Sequence, residues 1–205
     1  VMRQAVDYGF SQTAPRFDWS VLVAARDAYI ERLNGIYDRN LGQSGVDVIR
    51  GHARFVDPEA IEVDGIRYQS KRFVIATGGV PGRPNIPGGD LGIDSDGFFA
   101  LQDRPEKVAV VGAGYIAVEL AGVLQQLGSE VQLVVRRERP LREFDEAIQA
   151  AYVESIAAHG PALVSGFTPA GLEADWGGYT LHAEDGRTLE NLDQVIWAIG
   201  RLPNT

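Results

Sequence analysis

Three small residues, Gly112, Gly114 and Ala117, follow an apolar run at the spacing of a dinucleotide-binding turn. In such a turn the first glycine permits the tight bend, the second lets a pyrophosphate approach the backbone, and the small third residue lets a helix pack on the strand. The first N–H groups of that helix lack intrahelical partners and favour a diphosphate. The spacing therefore predicts a nucleotide site, and the alternative is a tight strand-to-helix turn that binds nothing.

A group of arginines follows the second predicted strand. The residues at this point of a dinucleotide-binding domain determine whether it prefers NAD or NADP. An NAD site usually has an Asp or Glu roughly 20 residues after the glycines, but this chain has Val135 there. The arginines after it are Arg136, Arg137, Arg139 and Arg142. Guanidinium groups suit a phosphate dianion, which a carboxylate would repel. We therefore predict NADP(H), with Arg136 and Arg142 as ligands of the 2′-phosphate; the alternative is a solvated basic loop balanced by Glu138 and Glu143.

The apolar pattern predicts the elements that hold these residues. Residues 108–111 have the β-branched character of a strand buried on both faces, residues 116–127 have helical spacing ended by Gly128, and residues 131–135 form a second strand. Asp145 is expected to cap a helix that runs to Ala158. The remaining predicted elements are a strand at 162–165 closed by Gly166, a hairpin at 179–189 around Asp185-Gly186, and a buried strand at 194–199 that ends in Gly200-Arg201.

The first eighty residues repeat part of this order. A helix is predicted from Asp18 to Leu41, with Tyr29 and Tyr37 on one apolar face, where the pattern alone favours core positions. Short strands are predicted at 46–49 and 73–76, the second ending before Thr77-Gly78, with a hairpin at 60–69 around Asp64-Gly65 between them. Two such modules in series suggest two nucleotides, a flavin and a nicotinamide, placed for hydride transfer.

The composition of the chain argues against several other classes of protein. The net charge of −9 argues against nucleic acid as a partner, and no apolar stretch is long enough to cross a bilayer. The chain has no cysteine, so neither a disulfide framework nor a zinc–thiolate site is expected, and the three histidines are isolated. Residues 94–97 faintly resemble a calcium loop but lack its later acidic ligands, so we expect a turn and no metal.

Several stretches together resemble the flavin-dependent pyridine nucleotide-disulfide oxidoreductases, with the glutathione reductase branch as the closest match. They are RDAYIERLNGIYDRNL, RGHARF, VIATGGVPGRPNIPG, GIDSDGFFAL, VAVVGAGYIAVELAGVL, VVRRERPLREFD and VIWAIGRLPNT. The resemblance implies an α/β fold: a Rossmann-like three-layer NADPH-binding domain at 81–202 and part of a related FAD-binding domain at 1–80, each with an antiparallel β-meander. Residues 203–205 would begin the return to the FAD domain.

The resemblance also implies roles for individual residues. Tyr115 matches the tyrosine that covers the flavin and swings aside for the nicotinamide, and Glu119 matches the glutamate near the carboxamide; both would assist hydride transfer. The implied NADPH contacts also include Gly112, Ala113, Gly114, Ile116, Arg136, Arg142, Gly200 and Arg201, and the implied FAD contacts are Ala53, Thr77 and Gly78. Tyr37 matches a glutathione-contacting tyrosine, with Tyr29 close by, which replaces the core assignment of Tyr37.

The family's redox-active cysteine pair, first FAD fingerprint and dimerisation domain are not found in this sequence. We therefore expect a central fragment of an NADPH:glutathione-disulfide oxidoreductase that is inactive alone, with a homodimeric, cytoplasmic parent protein. The alternatives are a non-catalytic NADP(H)-binding module and another disulfide reductase of the same family.

Overall fold

The computed structural model describes residues 17–204, and the chain forms two compact units. The C-terminal unit begins at Gly79 and includes Trp19, and the N-terminal unit is Ser20–Gly78. The predicted α/β class is confirmed, because a parallel sheet and two antiparallel meanders are present. Residues 1–16, for which no pattern was predicted, lie outside the described residues, as does Thr205.

The elements follow in one chain order. The N-terminal ones are α1 (Trp19–Gln43), β1 (Ala53–Asp57), β2 (Ala60–Val63) and β3 (Ile66–Gln69). Those of the C-terminal unit are β4 (Gly79–Pro81), β5 (Ile93–Asp94), α2 (Ser95–Ala100), β6 (Lys107–Val111), α3 (Tyr115–Gln126), β7 (Glu130–Val134), α4 (Glu146–His159), β8 (Ala162–Val164), β9 (Pro169–Asp175), β10 (Gly178–Ala183), β11 (Thr188–Leu192), β12 (Gln194–Trp197) and β13 (Arg201–Pro203).

A five-stranded parallel sheet is the centre of the C-terminal unit, with the strand order β5-β12-β6-β7-β8. The predicted strand at 108–111 is the middle of this sheet, and all four of its residues are buried. Helices α3 and α4 pack against the sheet. Successive side chains of a strand point to opposite faces, so residues such as Val110 and Leu133 form one face, while Ala109 and Val134 belong to the other.

The second face of the sheet is covered by the meander β9–β10–β11. Their inner residues form one apolar cluster with the sheet: Ala109, Val111, Val134, Phe167, Leu172, Leu181, Ala183, Leu192, Val195 and Trp197. The turn at Asp185-Gly186 follows the prediction, with Gly186 at a φ of 86°. Strand β9 was not predicted. Helices, parallel sheet and meander thus make three layers.

Local signals set the ends of the two long helices in this unit. Gly114 is the N-cap of α3, and Gly128 follows the helix with a φ of 99°. The carboxylate of Asp145 accepts a hydrogen bond from the amide of Ala147 at 2.8 Å, so it caps α4 as predicted.

The N-terminal unit consists of α1 and the three-stranded sheet β1-β2-β3. Asp64 and Gly65 both have positive φ, 49° and 81°, which is the two-residue turn geometry that the sequence predicted. Inside this meander only Ala60 and Val63 are buried, and β1 is mostly exposed. This unit therefore has a hairpin but little core of its own.

Three predictions for this unit are wrong. Residues 46–49 and 73–76 are not strands, and Val74 is 91% exposed. A strand of a buried parallel sheet needs neighbours on its sides, and no strand pairs with either segment in residues 17–204. Tyr29 and Tyr37 lie on α1, but both are more than half exposed, so the core positions that the helical pattern favoured are also wrong.

The sequence at 94–97 forms a helix cap. Asp94 accepts hydrogen bonds from the amides of Asp96 and Gly97, both at 3.0 Å, and from Arg83 at 3.0 Å. Burial alone would raise the pKa of Asp94, but these hydrogen bonds to Gly97, Arg83 and Asp96 outweigh it and hold the pKa below its ordinary value. Within the described residues no group of three or more acidic, His or Cys side chains could hold a metal ion. None of the helices in the same part of the chain is long and apolar enough to cross a membrane.

Candidate functional site

A cavity of about 550 Å³ lies at the carboxyl ends of the central strands of the C-terminal unit. Val111, Val134 and Trp197, the last residues of β6, β7 and β12, all line it. The chain runs from β6 through α3 to β7 on one side, whereas β12 lies on the other side of β6. Open α/β sheets bind their ligands at such a reversal of strand order. Topology alone therefore marks this cavity as the candidate site.

The glycine turn, residues 112–114, forms one wall of the cavity. Gly112 has a φ of 150°, and a Cβ there would overlap the carbonyl oxygen of Ala198, so the turn and the end of β12 approach too closely for any other residue. Ala117 is completely buried beside it. Gly114 differs, since a Cβ at this position would meet no atom of residues 17–204 within 4 Å. Packing of the chain therefore explains Gly112, whereas the described residues leave open space beside Gly114 in the cavity wall.

The N-terminus of α3 also lies at the cavity. Gly114 provides no side-chain cap, and the first intrahelical hydrogen bond runs from Val118 N to Gly114 O at 3.2 Å. The amides before Val118 precede that bond and are free of intrahelical acceptors. Tyr115 and Ile116, which carry two of them, line the cavity. Helix amides and dipole favour an anion at this point.

A second wall of the cavity is formed by the segment 136–144, here called the arginine loop. Its first half is held by two hydrogen bonds, from Gly166 N to Arg137 O at 3.3 Å and from Ser165 Oγ to Glu138 O at 2.9 Å. Its second half is held by a hydrogen bond from Leu141 N to Ala113 O at 2.6 Å. The loop backbone is therefore held in both halves, and one of these three hydrogen bonds is made to the glycine turn itself.

The guanidinium groups of this loop are exposed and largely uncompensated. Arg136, Arg137, Arg139 and Arg142 all line the cavity. Among the residues that the structure describes, Arg142 is the only one of the four with a carboxylate within 4.0 Å, that of Glu143 at 3.9 Å, and both of those side chains are exposed. An exposed pair at that distance contributes little. The loop thus presents several positive charges that are available to a phosphate.

Gly200 and Arg201, which are predicted to contact NADPH, line the cavity, but the Arg201 side chain also binds the protein itself. Its guanidinium donates to the carbonyl oxygen of Gly79 and, at 3.5 Å, to Ser95 Oγ. Arg201 therefore holds β4 beside β13. Its positive charge still lies in the cavity wall.

Comparison with known proteins now identifies the family. A family model described as "Pyridine nucleotide-disulphide oxidoreductase" matches residues 5–205. The chain belongs to this family. Glutathione reductases of Yarrowia lipolytica and Schizosaccharomyces pombe are 42% and 43% identical to it over 98% of the chain, which corresponds to 47% and 46% of their lengths. The chain thus spans about half the length of these curated relatives.

Solved structures support the same architecture. The HOCl-induced flavoprotein disulfide reductase RclA from Escherichia coli superimposes with a TM-score of 0.85 at 24% identity, covering 92% of this chain and 44% of that one. This likeness shows the fold alone. FAD and NADPH are the cofactors of this oxidoreductase family. The predicted cofactor pair is therefore confirmed for the family to which the chain belongs.

The residues present fit a nicotinamide dinucleotide phosphate. The open space at Gly114 suits a pyrophosphate, the start of α3 offers amides to it, and the arginine loop offers unpaired guanidiniums to a further phosphate. Glu119 is exposed on α3 and is not part of the cavity wall. Its predicted place near the nicotinamide stays a prediction.

The remaining predicted contacts of the oxidoreductase lie in the N-terminal unit. Ala53 begins β1 and pairs with Val63, and among residues 17–204 no strand pairs with the other edge of β1. The predicted backbone contact of Ala53 with FAD stays a prediction. Thr77 and Gly78 are exposed, and Gly78 has a φ of 72°. A Cβ at Gly78 would meet no atom of the described residues within 4 Å. Tyr37 and Tyr29 are exposed on α1, with Arg32 over the Tyr29 ring at 5.0 Å.

Several cavity residues were not predicted as ligands. They are Pro84, Val111, Val134, Arg137, Arg139, Leu141, Glu143, Phe144, Thr168, Pro169, Trp197, Ala198 and Ile199. The sequence did contain a signal for Thr168 and Pro169, because they come shortly after Gly166, the glycine that closes β8. Residues that follow parallel strands lie at the carboxyl edge of the sheet, where ligands bind. Leu141 had no such signal, since nothing in its local sequence predicts its conformation.

Proposed function

We propose that this chain binds NADP(H) in the cavity of its C-terminal unit, as part of an FAD-dependent NADPH:glutathione-disulfide oxidoreductase. The observation that carries the proposal is the convergence of a glycine turn, a helix N-terminus and four exposed arginines on one cavity. The identity of 42–43% with two glutathione reductases over nearly the whole chain supports the disulfide substrate.

Each part of the cavity suits one part of the coenzyme. The pyrophosphate would lie at Gly114 and the first amides of α3, where open space and the helix dipole coincide. The adenosine 2′-phosphate would be bound by Arg136 and Arg142, with Arg137 and Arg139 adding positive charge. Guanidinium forks suit such a phosphate because they donate two hydrogen bonds at once.

The chemistry of the whole protein would be hydride transfer followed by thiol–disulfide exchange. A flavin supplies the acceptor for the hydride, and Tyr115 and Glu119 would assist at the nicotinamide. Tyr115 is suited to this because it lies exposed at the start of α3, on the cavity wall. The 205 residues contain no cysteine, so thiol–disulfide exchange needs a dithiol from outside them.

The domain assignment is part of the same proposal. Residues 1–80 belong to an FAD-binding domain that contacts the flavin through Ala53, Thr77 and Gly78, residues 81–202 form the NADPH-binding domain, and residues 203–205 lead back to the first. Tyr37, with Tyr29, would contact glutathione disulfide. The whole protein would be a cytoplasmic homodimer, which size-exclusion chromatography and cell fractionation of the full-length protein would test.

The first experiment measures coenzyme choice in the 205-residue chain. Arg136→Ala combined with Arg142→Ala should lower NADPH affinity about a hundredfold, because two charge-assisted contacts are lost. NADH lacks the 2′-phosphate, so its affinity should change by less than about threefold. Titration calorimetry with each coenzyme gives both values.

The matched control removes two positive charges that do not belong to the lining of the cavity. Lys71→Ala combined with Arg72→Ala changes the net charge by the same amount within the N-terminal unit. This control should bind NADPH as the wild type does. Equal losses of NADPH and NADH affinity in the Arg136/Arg142 variant would contradict the 2′-phosphate assignment.

A non-catalytic NADP(H)-binding module is the second candidate, and the absence of cysteine from these residues favours it for the chain on its own. We expect the purified chain to bind NADPH without oxidising it when glutathione disulfide is added. Consumption of NADPH in that assay, followed at its absorbance band, would show instead that the chain carries out the complete reaction. The full-length protein assayed beside it should consume NADPH, and its failure to do so would leave only the binding function.

A further inference from the structure

Leu141 has a backbone conformation that is unusual for its residue type. Its φ is 60°, in the left-handed region, where a leucine Cβ crowds the backbone and glycine or asparagine is the usual occupant. Its side chain is nevertheless buried, as is that of Pro140 before it. A strained residue of this kind persists only when its surroundings hold it, and such residues concentrate at ligand clamps.

The surroundings that hold Leu141 are those of the candidate site. Its amide donates to Ala113 O at 2.6 Å, within the glycine turn, and its carbonyl accepts from Phe144 N at 2.8 Å. Leu141 and its neighbour Arg142 both line the cavity. A single residue in left-handed conformation thus joins the wall that suits a pyrophosphate to the loop that carries the arginines.

The hydrogen bond to Ala113 has two physical consequences. It sets the distance between the glycine turn and Arg142, so that two anionic groups on one ligand meet both walls without prior rearrangement of the loop, which preserves affinity. It also occupies a carbonyl oxygen of the glycine turn, whose partial negative charge would otherwise oppose a phosphate.

We propose that Leu141 is a positioning residue for coenzyme selectivity: its left-handed backbone, held by the hydrogen bond to Ala113, places the arginine loop for the 2′-phosphate. This proposal rests on the NADP(H) function proposed above. It predicts that disturbing Leu141 alters discrimination between NADP⁺ and NAD⁺ while the arginines themselves are unchanged.

Two substitutions at this position separate the backbone from the side chain. Leu141→Pro removes the amide donor and restricts φ to negative values, whereas Leu141→Gly keeps the amide and accepts positive φ without strain. In titrations of the 205-residue chain, Leu141→Pro should weaken NADP⁺ about tenfold and NAD⁺ less than about threefold. Leu141→Gly should keep the selectivity of the wild type within about threefold.

The outcomes distinguish this proposal from the function on which it rests. A wild-type chain without preference for NADP⁺ would contradict the proposed function. A wild-type preference that Leu141→Pro leaves unchanged, either because neither coenzyme is affected or because both are weakened by the same factor, would contradict the role of Leu141 but not the NADP(H) function. Loss of selectivity in Leu141→Gly as large as that in Leu141→Pro would also contradict it, because the side chain would then be responsible.

Amide hydrogen exchange decides the matter even if Leu141→Pro fails to fold. In the wild-type chain, the Leu141 amide should exchange at least about a hundredfold more slowly than the Arg139 amide of the same loop, for which no acceptor is found among residues 17–204. Saturating NADP⁺ should slow the Leu141 amide further, and saturating NAD⁺ should not. Equal rates for the two amides, or equal slowing by both coenzymes, would overturn the proposal.

Discussion

The two meanders of the chain have the same antiparallel order, and each contains an aspartate–glycine turn, yet only one of them has a buried inner face. In β9–β11, Leu172, Leu181 and Leu192 are buried against the parallel sheet. In β1–β3, only Ala60 and Val63 are buried. An aspartate–glycine turn is therefore enough to form a hairpin in either unit. A buried core forms only where the meander packs on a second sheet.

The segments that follow the two meanders differ in the same way. Residues 73–76 and 194–197 are both apolar, but only the second segment is a strand, because β5 and β6 pair with it on both sides. A local preference for extended structure is thus insufficient for a parallel strand. The three predictions below test whether the contrast between the two units extends to their stability.

The largest expected effect is that of Gly112→Ala. The new Cβ would overlap the carbonyl oxygen of Ala198 while φ stays positive, so overpacking and backbone strain together should cost about 4 kcal/mol. Gly78→Ala in the other unit meets no described atom within 4 Å and should cost only the left-handed strain, about 1 kcal/mol. Native-state hydrogen exchange of amides in β6 and β2 reports on each unit separately. Equal costs would show that close packing at Gly112 is not the cause.

The next largest effect is expected from the meander cores. Leu181 is completely buried, so Leu181→Ala should lower the free energy of unfolding by about 3 kcal/mol through lost burial and a cavity. Ile66→Ala in β3, where the side chain is 59% exposed, should cost less than about 1 kcal/mol. Urea unfolding followed by far-ultraviolet circular dichroism measures both variants. A small cost for Leu181→Ala would mean that the second meander is as weakly anchored as the first.

The smallest effect concerns the cap of α2. Asp94→Ala should cost about 1 kcal/mol at neutral pH, because two helix amides and Arg83 lose their acceptor. The pKa of Asp94 is lowered on folding, so its stabilisation is present above 3.8 and is lost as the pH falls through the lower folded value. The difference between wild type and variant, measured by tryptophan fluorescence in urea, should therefore shrink in acid.

An exposed ion pair of the N-terminal unit provides the contrast to that cap. Arg54→Ala breaks the pair with Glu62 and should change stability by less than about 0.5 kcal/mol, since exposed pairs contribute little. For the cap itself, the difference in the free energy of unfolding between wild type and Asp94→Ala could instead stay constant at every acid pH at which the protein folds. That result would exclude the Asp94 carboxylate as the source of the stabilisation.

Much of the C-terminal unit was predictable because its signals are local. Gly112, Gly128, Asp145 and Gly186 each mark an element boundary through backbone freedom or capping, and the structure has a boundary at each. The unbroken apolar run at 108–111 predicted a central strand because few other environments bury every side chain of such a run.

The failures depend on partners that the local sequence does not specify. Strand β9 contains Pro169, Gly171 and several residues with weak strand preference, and it forms because β10 pairs with it along its length. The hydrogen bond from the Arg201 guanidinium to the carbonyl of Gly79, far away in sequence, had no local signal either, while the predicted contact of Arg201 with the cofactor stays a prediction. The positive φ of Leu141 likewise depends on Ala113, which is distant along the chain.

The pairing of β4 with β13 brings the two ends of residues 79–203 close together. Gly79 lies opposite Pro203 and Pro81 opposite Arg201, so residues 79–203 begin and end on adjacent antiparallel strands. Neighbouring strands are only about 5 Å apart, which is a gap that a single surface loop of a host protein can span. Residues 79–203 therefore have the end-to-end geometry of a segment that a surface loop of another protein can accommodate.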